Sequence, residues 1–166
     1  MPSRKSRTYR SDRSCNMLKT FVEKKHTCYH QSFPDWETAI QASCVPLLND
    51  NTITQTYVDL VIKCVKDYGP YIVIAPNIAM PHSTEGADGV NDTAISFMKV
   101  EEPVHFDLND PEKDARLFFV LASVNHDKHL ENMMSLAEML MNEEIVSALL
   151  DAKSDENLLR IQKQYL

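Results

Sequence analysis

The sequence predicts an α/β fold, a three-layer sandwich in which a mixed β-sheet is flanked by helices on both faces. Three observations predict it. Two short runs, "YIVIA" (71–75) and "ARLFFVLAS" (115–123), are apolar at nearly every position, as in strands covered on both sides. Longer segments around them carry apolar residues at helical spacing, and helices interleaved with doubly covered strands stack in three layers. The chain's 166 residues suffice for one domain with a substantial core.

Each element has its own signal. Leu18, Phe21 and Val22 sit at helical spacing and predict a short opening helix. "HTCYHQSF" (26–33) reads as a short strand bounded by Pro34. Asp35 is a good N-cap for "DWETAIQASCVPLLND", where Trp36, Ile40 and Leu47 share a face, and Pro46 predicts a kink or early end. Thr54 caps "QTYVDLVIKCVKDYG", whose stripe is Val58, Val61, Ile62 and Val65; Gly69 terminates it in the left-handed conformation. "YIVIA" belongs near the sheet centre, "TAISFMKV" (93–100) is a further strand, and "ARLFFVLAS" is a second buried one. Residues 125–152 read as helical, with Leu130, Met133, Met134, Ala137, Leu140 and Met141 on a core-facing side, where methionines act as filler. Ser154 caps a last helix with Leu158, Ile161 and Tyr165 in register.

Charge and composition exclude several classes. Residues 1–16 hold five basic side chains, one acid and no apolar block, and read as a flexible basic tail. An extension added in cloning or translated from upstream of Met17 is preferred over a nucleic-acid arm. From Met17 onward, twelve Lys and Arg face twenty-three Asp and Glu, an acidic body that argues against nucleic acid and fits docking onto a basic protein surface. No apolar run approaches the ~18 residues a membrane span needs. Cys15, Cys28, Cys44 and Cys64 form no CxxC pair and read as reduced thiols of a cytosolic protein. The chain has three glycines and no GxxxxGK[ST], GxGxxG or GxSxG, so a bound nucleotide is excluded and no cofactor is expected.

The candidate chemistry lies in "IAMPHSTEG". His82 follows a buried strand and opens a connection of about a dozen residues, where α/β sheets gather function. A nucleophilic histidine needs one neutral ring nitrogen free and the other fixed by a hydrogen bond, which a rigid loop supplies. Pro81 stiffens the approach, and Ser83 and Thr84 offer hydroxyls and backbone donors for an anion. His129, near a helix start after another strand, is placed to face the same sheet edge. Spacing alone leaves both histidines open to a blander reading as polar loop and helix-start residues. "HDKH" (126–129) offers only two metal ligands, so no metal is expected. His26, His30 and His105 have no partner in sequence and read as strand or surface residues.

"GPYIVIAPNIAMPHS", "EPVHFD", "ARLFFVLASVNHDKHLENMMSLAEML" and "LLDAKSDENLL" together resemble the enzyme IIA component of the bacterial phosphoenolpyruvate-dependent sugar phosphotransferase system, mannitol and fructose type. "YGPYIVIAP" and "DWETAI" resemble its ascorbate-specific branch. The resemblance runs from about Leu18 to the C-terminus and implies a single IIA domain over 17–166. It implies that His82 is phosphorylated by the small carrier protein HPr and passes the group to a cysteine of the sugar-specific IIB component, with His129 as companion. Ser83 and Thr84 would help stabilise the phosphoryl group. L-ascorbate is the favoured sugar, with mannitol, fructose or another as alternatives. The implied location is cytosolic, with the IIC permease engaged only indirectly, no membrane insertion and no nucleic acid; a homodimer is left open. A regulatory module of the same fold, sensing phosphorylation without passing it on, is the competing reading. Two departures stand out: Asn77 replaces an expected glycine, and "STEGADG" after His82 carries no base.

Overall fold

The computed structural model describes residues 16–166, so the tail reading lies outside the described residues except at Asn16. Five strands form one mixed sheet in the order β1-β4-β5-β3-β2. They are β1 (Thr27–His30), β2 (Val73–Ala75), β3 (Asn77–Ala79), β4 (Ala94–His105) and β5 (Asp114–Ala122). β1 runs parallel to β4 and β3 parallel to β5, whereas β4/β5 and β2/β3 are antiparallel.

Helices cover both faces. On one side α2 (Trp36–Asn49) and α3 (Gln55–Tyr68) pack Ile40, Leu47, Val58 and Val61 against Met98, Phe118 and Val120. On the other, α1 (Met17–Glu23), α4 (His126–Leu140), α5 (Glu143–Asp151) and α6 (Asp155–Tyr165) bring Phe21, Leu136, Leu149 and Leu158 onto Phe97, Phe119 and Leu121. Strand alternation thus sends neighbouring residues of β4 and β5 into two separate cores. No described helix is long and apolar enough to cross a membrane.

Several caps form as the sequence predicts. Asp35 accepts from the Thr38 N–H and Ser154 from the Asn157 N–H. Thr54 occupies the N-cap of α3, but its hydroxyl donates to the Gly89 carbonyl instead of capping. Gly69 ends α3 at φ +80°, ψ −172°; φ is positive, but ψ places it outside the left-handed helical well, in a region open essentially to glycine alone.

Four expectations are corrected. "YIVIA" supplies an edge strand, not a central one: Ile72 and Val73 are buried but Ile74 is 47% exposed, and β5 lies in the interior of the sheet instead. The short strand β3, unpredicted, separates β2 from β5 and leads directly to His82; Asn77 enters it at φ +71°. α2 continues through Pro46, because a side chain from the sheet takes the one carbonyl, that of Ala42, that the proline leaves without an N–H, and a second anchors the next carbonyl. Cys28 Sγ reaches Ala42 O at 3.8 Å, and Ser96 Oγ donates to Ser43 O at 3.2 Å. The long helical stretch breaks where Asn142 caps α5 through the Glu144 and Ile145 N–H groups. Its buried side holds Ser135, Leu136 and Met139, while Leu130, Met134 and Met141 face solvent, so those methionines are not core filler.

Candidate active site

His82 leaves the sheet just past the end of β3. Its Nδ1 lies 2.6 Å from the Met80 carbonyl oxygen. A carbonyl can only accept, so Nδ1 carries the proton and Nε2 keeps its lone pair. Tyr71 packs edge-on against the imidazole, ring centroids 5.3 Å apart and planes at 90°, and its hydroxyl donates to the His82 carbonyl. Ring and backbone of His82 are therefore both held.

α4 brings the second histidine. Asn125 caps it through the Lys128 N–H, and Ser123 Oγ donates to the Asn125 carbonyl, fixing the turn between β5 and the helix. His129, in the first turn, places its ring centroid 5.6 Å from that of His82. A cleft of about 320 Å³ opens beside the pair, lined by Tyr57, Ser83, Thr84, Ser123, His126 and His129. Ser83 and Thr84 thus reach the cleft, although their hydroxyls also contact the Cys64 thiol, at 3.8 and 3.7 Å.

Residues 20–165 match the family described as phosphoenolpyruvate-dependent sugar phosphotransferase system, EIIA 2. The chain belongs to this family. It is 34% identical over 146 residues to an ascorbate-specific phosphotransferase-system EIIA component of Mycoplasma pneumoniae, covering 87% of this chain and 90% of the relative. The solution structure of the mannitol-specific cryptic phosphotransferase enzyme IIA from Escherichia coli is similar at a TM-score of 0.75 and 31% identity, covering 89% of this chain and 99% of that one. A complex of enzyme IIAMTL and phosphorylated enzyme IIBMTL from Escherichia coli contains a chain of the same fold, with a TM-score of 0.71, 23% identity and coverage of 83% and 94%.

An EIIA component is a phosphoryl carrier of the phosphotransferase system, and burial in this EIIA cleft favours neutral imidazoles. Burial lowers the pKa of His82, against the Met80 hydrogen bond, which favours the protonated ring. Burial also lowers that of His129, helped by the nearby His82 and His126. Both rings therefore resist protonation more than a free imidazole. No Lys or Arg is among the described residues lining the cleft, in keeping with the baseless "STEGADG". Of the two acids in that loop, Glu85 is held by α3: it accepts from Tyr68 at 2.7 Å and from Lys63 at 3.4 Å, which hold its carboxyl below the usual range.

Sequence reasoning missed Tyr57, Tyr71 and the Met80 carbonyl. A backbone acceptor has no sequence signature, and both tyrosines lie in or beside apolar runs that read as packing. Among the remaining histidines, His26 is buried and 2.5 Å from Asp50, and His105 lies 2.8 Å from Asp114; each has a carboxylate partner that sequence did not reveal. Among the described residues no group of three or more His, Cys, Asp or Glu is placed to hold a metal ion.

Proposed function

We propose that this EIIA component accepts a phosphoryl group from phospho-HPr on Nε2 of His82 and passes it to a cysteine of its IIB partner, serving L-ascorbate uptake from the cytoplasmic side. The observation that carries the reading is the Met80–His82 hydrogen bond, which leaves Nε2 as the one ring nitrogen with a free lone pair. In the first step the Nε2–P bond forms as the carrier's N–P bond breaks, the bonding pair returning to the carrier's imidazole. His82 keeps its Nδ1 proton throughout. The Met80 oxygen then faces the positive charge that the ring gains, which stabilises the phosphorylated form without making it inert.

In the second step a IIB thiolate attacks phosphorus, the P–S bond forms, and the electron pair returns to Nε2. Neither step consumes a nucleotide: two protein surfaces hold donor and acceptor in line, and fixed donors offset charge on the equatorial oxygens. Ser83, Thr84, His129 and the N-terminal end of α4 are the groups assigned to that task. The helix-dipole share is about 0.3–1 kcal/mol. Ascorbate is favoured by the name of the Mycoplasma relative and a IIB acceptor by the complex described above.

Incubation with phosphoenolpyruvate, enzyme I and HPr tests the reading. Acid-labile phosphate on His82 that chases onto a IIB partner supports it, and label that stays on the chain contradicts onward transfer. Growth on ascorbate of a deletion strain carrying this chain with its IIB and IIC partners tests the sugar.

A further inference from the structure

The residues on either side of His82 are both tied to one residue of β5. The Leu121 N–H donates to the Pro81 carbonyl at 3.0 Å. On the far side the Ser83 N–H donates to the Tyr57 hydroxyl at 3.3 Å, and that hydroxyl donates to the Leu121 carbonyl at 2.6 Å. In a parallel ladder, a residue bonds through its N–H to the residue before its opposite number and through its C=O to the residue after. Leu121 is therefore opposite His82, in the register that pairs Ala79 with Phe118 three residues earlier. The second rung, however, is spliced. A phenol oxygen stands between donor and acceptor, where a direct backbone bond would otherwise close.

We propose that Tyr57 is a positioning residue for phosphoryl transfer, its hydroxyl ending the β3–β5 ladder at His82 and setting the turn from which the imidazole faces His129. The inference rests on the reading of His82 as the phosphoryl acceptor. The direction of the relay follows from chemistry, because the phenol has one proton and the Leu121 carbonyl can only accept, so the lone pair is left for Ser83. Burial pushes the phenol up to about 12, so the proton stays on throughout the neutral range. The splice keeps the Ser83 N–H and the Leu121 C=O from bonding directly, and so sets the Ser83 segment back from β5.

Tyr57 cannot follow the loop if the loop shifts. The residue is 3% exposed, its N–H donates to the Thr54 carbonyl at 3.0 Å, and Gly89 crosses its backbone closely. A Cβ at Gly89 would stand 2.6 Å from the Tyr57 nitrogen, at φ +85°. With the hydroxyl removed, Ser83 N–H and Leu121 C=O either close into a direct rung or lose their partner. Both outcomes move the His82 turn.

The test is Tyr57→Phe, measured for acceptance from phospho-HPr at varied carrier concentration and by NMR. The expected result is at least a tenfold fall in kcat with KM for the carrier within twofold, shifted His82 ring ¹⁵N resonances and an altered Ser83 amide exchange rate, faster if the partner is lost and slower if a direct rung closes. A variant that transfers at the wild-type rate with unmoved His82 resonances overturns the proposal. Should Tyr57→Phe fail to fold, exchange in the wild-type protein decides: protection of the Ser83 amide supports the relay, and exchange at the free-peptide rate overturns it. A wild-type chain that takes no label overturns the acceptor reading instead, and the exchange and ¹⁵N results still judge the spliced rung.

Discussion

The two halves of the sheet are built to different standards. β4 and β5 run for 12 and 9 residues in a long antiparallel ladder, in continuous register from Ala94 to Lys99 and shifted only between Lys99 and Val104, whose alternate side chains fill both cores. β2 and β3 have three residues each, shift register, and meet at Asn77 with φ +71°. The candidate site grows from the short half. A regular ladder commits every N–H and C=O to its neighbour, whereas the irregular half leaves the Met80 carbonyl to the His82 ring and the Ser83 amide to the Tyr57 hydroxyl. The long half supplies a fixed edge, and the short half supplies the unpaired groups that chemistry needs.

Substitutions in the two halves should therefore fail differently. The largest effect is expected from His82→Gln, which removes the proposed nucleophile: phosphoryl acceptance should fall by about 10⁴ or more, roughly 5 kcal/mol of barrier, with the thermal midpoint little changed. Quantitative label incorporation checks it. Phe119→Ala in β5 should do the reverse. Phe119 is fully buried, with ring centroids 5.3 Å from Phe97 and 6.4 Å from Phe21, so truncation should cost about 3–5 kcal/mol in urea unfolding while the folded fraction still transfers.

Asn77→Val sharpens the contrast at the junction. A β-branched residue at φ +71° should cost about 1–2 kcal/mol, and Asn77→Gly should cost none, as read by denaturant midpoints. The pH dependence follows from burial. The folded pKa of His82 and of His129 is lowered, so each contributes stability that is fully present above the unfolded value near 6.5 and lost as pH falls through the folded value. The acid limb of phosphoryl acceptance should accordingly lie below pH 6.5. A limb above it would contradict the neutral nucleophile. Cys28→Ala should have the smallest effect, about 1 kcal/mol or less, felt as faster amide exchange around Pro46 in α2.

The same contrast explains what was legible in the sequence. β5 and the capped starts of α2 and α6 were plain, because their signals are local: an unbroken apolar run, an Asp or Ser just before a periodic segment. The His82–His129 pairing was legible as a candidate, since a strand end and a helix start both led to one sheet edge. β2 was misplaced because an apolar run says that side chains are covered, not whether another strand lies beyond them. β3 was too short to show a period. The face of α4 was misjudged because Leu and Met recur around most of its circumference, so spacing did not choose among the stripes. Pro46 misled because Cys28, distant in sequence, takes the carbonyl that it leaves open. Tyr57 was invisible for a similar reason: its hydroxyl matters only once Leu121 and Ser83 are brought to it.

The central claim is that Met80 fixes the tautomer of His82 and leaves Nε2 as the acceptor. The most direct measurement is ³¹P–¹⁵N correlation NMR on the phosphorylated protein with labelled histidine. The account predicts one phosphoryl group bonded to Nε2 of His82, with Nδ1 still protonated. A phosphoryl group on Nδ1, or on His129, would contradict it.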